Sequence, residues 1–374
     1  MRITGGLVLK PEGWSREDVL IEKGLISETE NSGEVINAGG LFVLPGFIDL
    51  HTHGAVGVDV NGASASGLRK ISEFFASQGV TGWQCSILTD TVETTLYTIS
   101  EACKVINEGS GGARLMGIHL EGPCLSPEYK GAMPEELLMK TADIKLFEKY
   151  LDAAQGHITY VTLSPEIPGA EELTKWLNSQ GVRVALGHSG AGYDESIRCI
   201  EAGAKSGTHV GNAMRLFHQH EPAIFGAIME SDCYCEAICD GRHLHPASVR
   251  LFHKIKGDNR MIAITDSIMA AGMPDGKYKL GINDVIVENG DAKLLDGTRA
   301  GSTLTMSEAL KNIMSFTGLP LERAVKWMTE NPADMMGWSD LGRIALGNAA
   351  DLTLIDENVD VVYTVVGGKI VYSK

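Results

Sequence analysis

The sequence of 374 residues lacks a run of about 18 uncharged apolar residues, and its first residues, MRITGGLVLKPEG, lack the charged stretch and apolar core of a secretion signal. We therefore expect no membrane span, no export and a cytoplasmic location. Basic residues are scarce, because 32 lysines and arginines stand against 48 acidic residues, a formal net charge of −16. Nucleic-acid binding depends on cations that neutralise phosphates, so nucleic acid is not an expected partner.

Cysteine is also sparse, and its seven residues form an odd set that argues against a disulfide framework. Most lie in apolar runs, as expected of reduced thiols in a cytoplasmic protein. Cys233, Cys235 and Cys239 cluster in a segment that alternates like a strand. This pattern favours buried apolar cysteines over a structural zinc site.

The middle of the chain contains eight short apolar runs that read as strands. They cover residues 47–53, 82–88, 115–122, 158–166, 182–189, 206–213, 235–243 and 261–267. Most lack in/out alternation, which is typical of parallel strands buried on both faces. Amphipathic helical segments lie between many of them. This alternation predicts an α/β fold, a (β/α)₈ TIM-like barrel over residues 46–339.

The two ends of the chain have a different pattern, with short strands separated by turns. Residues 1–45 and 340–374 are predicted to pair into one small β-sandwich domain outside the barrel, which brings the termini together. A barrel of roughly 250 residues and such a satellite together account for the length of the chain.

Side chains that can bind metal follow several predicted strands at their C-terminal ends, where a barrel places its active site. They are His51, His53, Glu121, His188, His209 and Asp266. One histidine at a strand end is more often structural, but the joint pattern favours a divalent metal site. Zn²⁺ suits this set of nitrogen and oxygen donors, with Fe²⁺, Mn²⁺ or Co²⁺ as alternatives and one or two ions per subunit.

The same residues are predicted to divide the chemistry between them. The histidine nitrogens and the Glu121 carboxylate hold metal, which lowers the pKa of bound water toward about 7 and polarises the carbonyl that the water attacks. Asp266 is the predicted catalytic acid and base, which accepts a proton from the water and returns it to the leaving amine. The alternative for Asp266 is an N-cap of the following turn. His119, two residues before Glu121, is expected to support the metal site.

Longer motifs add a resemblance that covers essentially the whole chain. They are PGFIDLHTHG (45–54), GIHLEGP (117–123), KGA (130–132), LGHS (186–189), THVGNAM (208–214), EPAIFGA (221–227), CDGRH (239–243), ITDS (264–267) and AGSTLTM (300–306). Together they resemble the N-acetylglucosamine-6-phosphate deacetylases of the amidohydrolase superfamily. The resemblance implies metal-dependent hydrolysis of N-acetylglucosamine 6-phosphate to glucosamine 6-phosphate and acetate, as in amino sugar catabolism, by a homodimer.

The resemblance also implies roles for particular residues. It places the main metal at Glu121, His188 and His209, a second metal position at His51 and His53, and the acid and base at Asp266. It places the substrate against Ala132, Asn212, Ala213, Asp240, Gly241, Arg242, His243, Arg299, Ala300 and Gly301. The peptide N–H groups of Asn212 and Ala213 are suited to oxyanions.

Some positions depart from the family pattern. His220 stands where members commonly carry an arginine that reaches the phosphate of the neighbouring subunit's substrate, and imidazole is a weaker, pH-dependent phosphate partner. Gly211 replaces an aromatic residue and Arg299 replaces a leucine. Arg215, Arg242 and Arg299 are therefore candidates to supply the missing charge.

Several alternatives stay open on the sequence. The substrate could be N-acetylgalactosamine 6-phosphate or an unphosphorylated sugar, and an N-acyl amino acid deacetylase would also need a metal and an anion site. Cyclic amidases of the same fold typically bridge two metals with a carboxylated lysine on the fourth strand, and residues 158–166 contain no lysine. A non-enzymatic scaffold is disfavoured because every predicted metal ligand is present.

Overall fold

The computed structural model describes residues 1–29 and 33–374. Short strands joined by turns form the N-terminal segment: β1 (Arg2–Thr4), β2 (Leu7–Lys10), β3 (Gly13–Ser15), β4 (Val19–Glu22), β5 (Leu25–Ser27), β6 (Val35–Asn37) and β7 (Phe42–Pro45). The next strands are β8 (Phe47–Asp49), β9 (Gly54–Ala55), β10 (Val58–Asp59), β11 (Val80–Leu88), β12 (Arg114–Glu121), β13 (Ile158–Leu163), β14 (Arg183–Leu186), β15 (Ser206–Gly207), β16 (Tyr234–Ala237) and β17 (Met261–Ala263). The last strands are β18 (Gly276–Leu280), β19 (Asn283–Glu288), β20 (Asp291–Leu294), β21 (Leu352–Ile355), β22 (Val361–Val366) and β23 (Lys369–Ser373).

Helices occupy the segments between the central strands and the segment after β20. They are α1 (Ala65–Ser77), α2 (Val92–Glu108), α3 (Ile144–Ala154), α4 (Ala170–Ser179), α5 (Tyr193–Glu201), α6 (Ala223–Glu230), α7 (Pro246–Lys256), α8 (Met306–Thr317), α9 (Leu321–Ala324) and α10 (Glu330–Met336). Turns of 3₁₀ helix lie at Pro127–Tyr129, Glu135–Leu137 and Val325–Met328. None of the helices in the described part of the chain is long and apolar enough to cross a membrane.

Eight strands form one parallel sheet in the order β8, β11, β12, β13, β14, β15, β16 and β17. One helix, from α1 to α8, follows each strand in turn. The first and last strands meet because Thr52 forms a parallel bridge with Ser267, and Thr265 Oγ1 donates to the Asp49 carboxylate at 2.6 Å. The predicted (β/α)₈ barrel is therefore confirmed.

Burial explains why the barrel strands lack alternation in sequence. Every residue of β11 and every residue of β17 is buried, because the inner face packs in the barrel and the outer face packs under helices. β15 ends at Gly207, earlier than the predicted run over 206–213. His209 and Ala213 adopt positive φ values of 29° and 46°, which extended strands do not allow.

The chain ends form two sheets beside the barrel, and they combine in the larger one. One contains β5, β4, β1 and β6, and the other contains β23, β22, β21, β7, β2 and β3. Their facing side chains form a separate core that includes Ile3, Ile21, Val43, Leu352 and Val365. This arrangement agrees with the predicted sandwich, and its boundaries at residues 45 and 340 stay predictions.

A three-stranded antiparallel sheet of β18, β19 and β20 is inserted between β17 and α8. It has its own apolar core with Leu280, Val285 and Ala292, and Leu88 and Met133 pack against it from the barrel side. We did not predict this sheet from the sequence. The signal was the Asn289–Gly290 pair, whose φ values of 53° and 73° fit a two-residue hairpin turn between alternating segments.

Candidate metal centre and active site

Glu121, His188 and His209 bring three potential metal donors together at the C-terminal end of the barrel. The Nε2 atoms of His188 and His209 both lie 3.1 Å from Glu121 Oε1, and they lie 3.1 Å from each other. All three side chains are buried. A tetrahedral zinc ion with bonds of about 2.0 to 2.1 Å separates its ligand atoms by about 3.3 Å, so these donor atoms fit a single ion.

His51, His53 and Asp266 form a second buried group beside the first. The two Nε2 atoms are 3.0 Å apart, and Asp266 Oδ1 is 3.1 Å from that of His53 and 3.6 Å from that of His51. The Glu121 carboxylate lies between the groups, with Oε1 3.3 Å from His51 Nε2 and Oε2 3.2 Å from His53 Nε2. Both members of the H-x-H pair thus face the same cluster, as predicted.

The charges of the cluster favour a cation at its centre. Burial by itself lowers the pKa of His51, but the charges of Glu121 and Asp266 raise it well above its usual value. The same competition raises the pKa of His53 to about 9. Burial raises the pKa of Glu121, yet the neighbouring histidines His51 and His188 more than reverse this and hold it well below its usual value. The carboxylates therefore attract positive charge here, which a metal ion would supply when bound.

Hydrogen bonds orient two of the histidines for metal binding. Nδ1 of His53 lies 3.0 Å from the Ser86 carbonyl oxygen, and Nδ1 of His188 lies 2.9 Å from the Tyr129 carbonyl oxygen. A carbonyl only accepts, so Nδ1 carries the hydrogen in both rings. The lone pair of Nε2 then faces the cluster, as metal coordination requires.

The backbone at the site is strained. His188, His209 and Asp266 adopt φ values of 47°, 29° and 49°, in the left-handed region that side chains other than glycine rarely occupy. Each follows the end of a barrel strand, where the chain turns sharply and directs the side chain inward. Such strain costs of order 1 to 3 kcal/mol per residue and clusters at functional sites.

A cavity of about 470 Å³ opens onto the cluster. It is lined by His53, Glu121, His188, His209 and Asp266 from the metal-binding groups. Of the predicted substrate residues it is also lined by Ala132, Asn212, Ala213, His243, Arg299 and Gly301. Sequence positions up to about 250 residues apart therefore share one cavity.

Other predicted substrate residues lie outside this lining. His220 is exposed, and Arg242 points away to donate to the Asn289 carbonyl oxygen at 2.6 Å. Asp240 lies behind the cavity wall, where its carboxylate accepts from His243 Nδ1 at 2.7 Å. Gly241 is exposed, and Ala300 is buried in the core under the inserted sheet. Their assignment to the substrate stays a prediction.

The predicted peptide donors differ from each other in the structure. The Asn212 N–H donates to the His209 carbonyl oxygen at 3.0 Å. Within the described chain, the Ala213 N–H has no hydrogen-bond acceptor. Of the two groups expected to meet an oxyanion, that of Ala213 is therefore the one available.

Sequence reasoning missed several residues of the cavity wall, above all Lys130. Its ammonium group donates to the Met133 carbonyl oxygen at 3.3 Å, and within the described chain no carboxylate pairs with it. Glu128, Asp296 and Thr298 also line the cavity. The signal for Lys130 was its place in the KGA motif, two residues before the predicted Ala132.

His119 packs beneath the cluster against the ring of His51, and its expected support of the metal site stays a prediction. It is fully buried, with Nδ1 2.9 Å from Ser86 Oγ and Nε2 2.9 Å from Thr162 Oγ1. Burial, followed by the charge of His51, holds its pKa well below the usual value. A neutral His119 therefore packs under the cluster and leaves the positive charge to the groups above it.

Comparisons with known proteins agree with this geometry. The amidohydrolase family pattern matches residues 42–371. An N-acetylglucosamine-6-phosphate deacetylase of Bacillus subtilis is 37% identical over 88% of this chain and 84% of its own length. An N-acetylgalactosamine-6-phosphate deacetylase of Escherichia coli O157:H7 is 33% identical over 95% of this chain and 94% of its own length.

A solved structure shows the same similarity in three dimensions. It is an aspartate-to-alanine mutant of the N-acetyl-D-glucosamine-6-phosphate deacetylase from Mycobacterium smegmatis, in complex with N-acetyl-D-glucosamine-6-phosphate. It is 32% identical, has a TM-score of 0.93, and the alignment covers 100% of this chain and 99% of that one. The buried donor groups form a site for a divalent metal ion. The chain therefore belongs to the amidohydrolase family, in the group of its N-acetyl amino sugar phosphate deacetylases.

Proposed function

We propose that this enzyme hydrolyses N-acetylglucosamine 6-phosphate to glucosamine 6-phosphate and acetate. One observation carries the proposal: the cavity that ends at Asp266 and the two donor groups also contains His243, Ala213 and Gly301. Metal donors, a proton-transfer group and hydrogen-bonding groups for a sugar therefore share one space. Several similar proteins are named N-acetylglucosamine-6-phosphate deacetylases, and this supports the choice of substrate.

We assign the primary metal to Glu121, His188 and His209, with Zn²⁺ as the favoured ion and Fe²⁺, Mn²⁺ or Co²⁺ as alternatives. His51, His53 and Asp266 offer a second position. A divalent ion in this site supplies Lewis-acid chemistry, because it polarises the acetyl carbonyl and makes water a stronger nucleophile near neutral pH.

Asp266 is the proposed proton carrier. Its carboxylate lies at the cavity wall, 3.1 Å from His53, and only 8% of the residue is exposed. It accepts a proton from the attacking water and then gives that proton to the amide nitrogen as the C–N bond breaks. Amine rather than amide anion leaves, and acetate is the other product.

His243 and Ala213 are the proposed groups that orient the sugar. The Asp240 carboxylate accepts the Nδ1 hydrogen of His243, so the other ring nitrogen stays available for substrate. The peptide N–H of Ala213 is free to donate to an oxyanion. Gly301 lets the chain pass close to the acid and base, because an added Cβ would lie 2.8 Å from the Asp266 carbonyl oxygen.

The direct test is acetate release from N-acetylglucosamine 6-phosphate, N-acetylgalactosamine 6-phosphate, unphosphorylated N-acetylglucosamine and an N-acetyl amino acid, with metal content measured on the same sample. We expect the highest kcat/KM for the first compound. Preference for N-acetylgalactosamine 6-phosphate would instead indicate the activity for which the E. coli relative is named. Preference for an N-acetyl amino acid would overturn the proposal.

The positions of four cationic side chains favour two of them as ligands of a substrate phosphate, in place of the arginine that this chain lacks. Arg215 pairs with Glu221 at 3.2 Å outside the cavity, and Arg242 points elsewhere. Lys130 and Arg299 line the cavity. Arg299 donates through Nε and one terminal nitrogen to Asp291, at 2.9 and 3.2 Å, and its other terminal nitrogen has no partner in the described chain. We therefore propose that Lys130 and Arg299 bind the phosphate.

Lys130→Met and Arg299→Leu are each expected to raise KM for the phosphorylated sugar by roughly ten-fold or more, because a hydrogen bond to a charged group contributes about 1.5 to 3 kcal/mol. KM for the unphosphorylated sugar should not change. Arg69→Gln is the matched control, because Arg69 pairs with Glu108 at 2.6 Å outside the cavity. An equal effect on both substrates would show that these residues do not recognise the phosphate.

We also propose a homodimer. Leu216 and Phe217 are 59% and 58% exposed beside His220, so the loop presents apolar surface that a second subunit could cover. Sedimentation velocity tests this, and a monomer at micromolar concentration would overturn it.

A further inference from the structure

Glu236 is a buried carboxylate beneath the metal-binding groups, and the chemistry assigned above does not use it. It lies on β16, has no exposed surface, and none of the described lysines or arginines pairs with it. Its Oε1 accepts a hydrogen bond from the Tyr160 hydroxyl, and its Oε2 accepts the His209 backbone N–H at 3.3 Å. Burial of a carboxylate without a cation is costly, so this one has a compensating partner nearby.

His51 supplies the second half of the observation. Its Nε2 belongs to the metal-binding cluster, while its Nδ1 is buried and has no hydrogen-bond partner within the described chain. Oε2 of Glu236 lies 3.6 Å from this Nδ1. The atom is thus slightly beyond hydrogen-bond distance from a carboxylate that has no cation of its own.

Two of the other histidines show what is missing at His51, whereas Nδ1 of His209 is also buried without a partner in the described chain. Nδ1 of His53 and Nδ1 of His188 each lie within 3.0 Å of a backbone carbonyl oxygen. Histidines that bind metal nearly always donate their second nitrogen to a carboxylate, a carbonyl or water, since this fixes the tautomer and the ring orientation. At His51 the carboxylate of Glu236 occupies that place.

We propose that Glu236 is a positioning residue, which accepts the Nδ1 hydrogen of His51 and so holds Nε2 of His51 toward the second metal position. This inference rests on the proposed function, because it assumes that the cluster binds metal. A shift of a few tenths of an ångström completes the hydrogen bond. The alternative is a purely structural role, in which Glu236 only anchors Tyr160, whose hydroxyl also contacts Ser206 inside the barrel.

Glu236→Met, which removes both acceptor oxygens, tests the proposal through metal binding rather than turnover. Metal-free protein is titrated with Zn²⁺ against a chromophoric chelator, and the bound ions are counted by mass spectrometry. We expect the affinity of the ion at His51 and His53 to fall by roughly 10- to 100-fold, with the ion at Glu121, His188 and His209 retained. Tyr160→Phe is the matched control, because it removes the hydrogen bond to the other oxygen of Glu236 and should leave the second ion in place.

The possible outcomes separate the two roles. An unchanged number and affinity of bound ions in Glu236→Met overturns the proposal, as does equal loss of the second ion in Tyr160→Phe. If Glu236→Met does not fold, Glu236→Asp keeps the charge but withdraws it from His51 by one methylene group, and binding of the second ion should again be weakened. A wild-type chain that binds no metal would instead overturn the proposed function.

Discussion

Asp266→Asn is expected to lower the rate of acetate release by roughly 10²- to 10⁴-fold while the ion at Glu121, His188 and His209 stays bound. Asparagine keeps the shape of the side chain beside His53 but cannot accept and return a proton. The charges of His51 and His53 outweigh burial and lower the pKa of Asp266, so the wild-type group is a carboxylate that can accept one. Acetate release and metal content are measured on the same preparation.

Asp90→Asn is the control for this variant. Asp90 follows the end of another barrel strand, accepts a hydrogen bond from Asn61 at 2.9 Å, and does not line the cavity. It should therefore retain turnover. Retained turnover in Asp266→Asn would show that Asp266 is not the catalytic acid and base. The alternative role as an N-cap is not supported by the structure, since no helix begins at Asp266.

His188→Ala is expected to lose both the primary metal and most of the activity. Its Nε2 is one of three donor atoms that lie 3.1 Å from one another, and alanine leaves the ion two protein ligands. A metal ion contributes several kcal/mol of transition-state stabilisation, so we expect kcat/KM to fall by roughly a thousand-fold or more.

Elemental analysis after dialysis and acetate release together check this prediction. His253→Ala is the control, because His253 pairs with Asp258 at 2.7 Å and lies outside the cavity. A His188→Ala variant that remains fully metallated would move His188 out of the ligand set. If excess Zn²⁺ restores turnover, the variant has lost activity because its affinity for the metal is lower.

The barrel could be predicted because its evidence is local. Buried strands without alternation, such as Val80–Leu88, and amphipathic helices between them recur along the chain, and each pattern depends only on neighbouring residues. Metal donors at strand ends could be predicted for the same reason, because parallel strands in a barrel end on one face. The positions of His51, His53 and Asp266 followed from that rule alone.

The inserted sheet was missed because its short strands, including Gly276–Leu280, lie in a region expected to hold barrel helices. The sheet matters for function, since Leu280, Asp296 and Arg299 in or beside it line the cavity. Its contact with the barrel joins residues that are distant in sequence, such as Leu280 and Met133. No local pattern reports such a contact.

The sequence by itself determined the fold class and the strand-end positions of the candidate metal donors, because hydrophobic periodicity and residue type are properties of short segments. Only the tertiary structure decided which cations reach the cavity, with Lys130 and Arg299 inside it and Arg215 and Arg242 outside. It also placed Glu236 beneath His51. Both results depend on side-chain directions and on packing between distant strands. These are fixed only when the barrel closes, so they cannot be inferred from short segments of sequence.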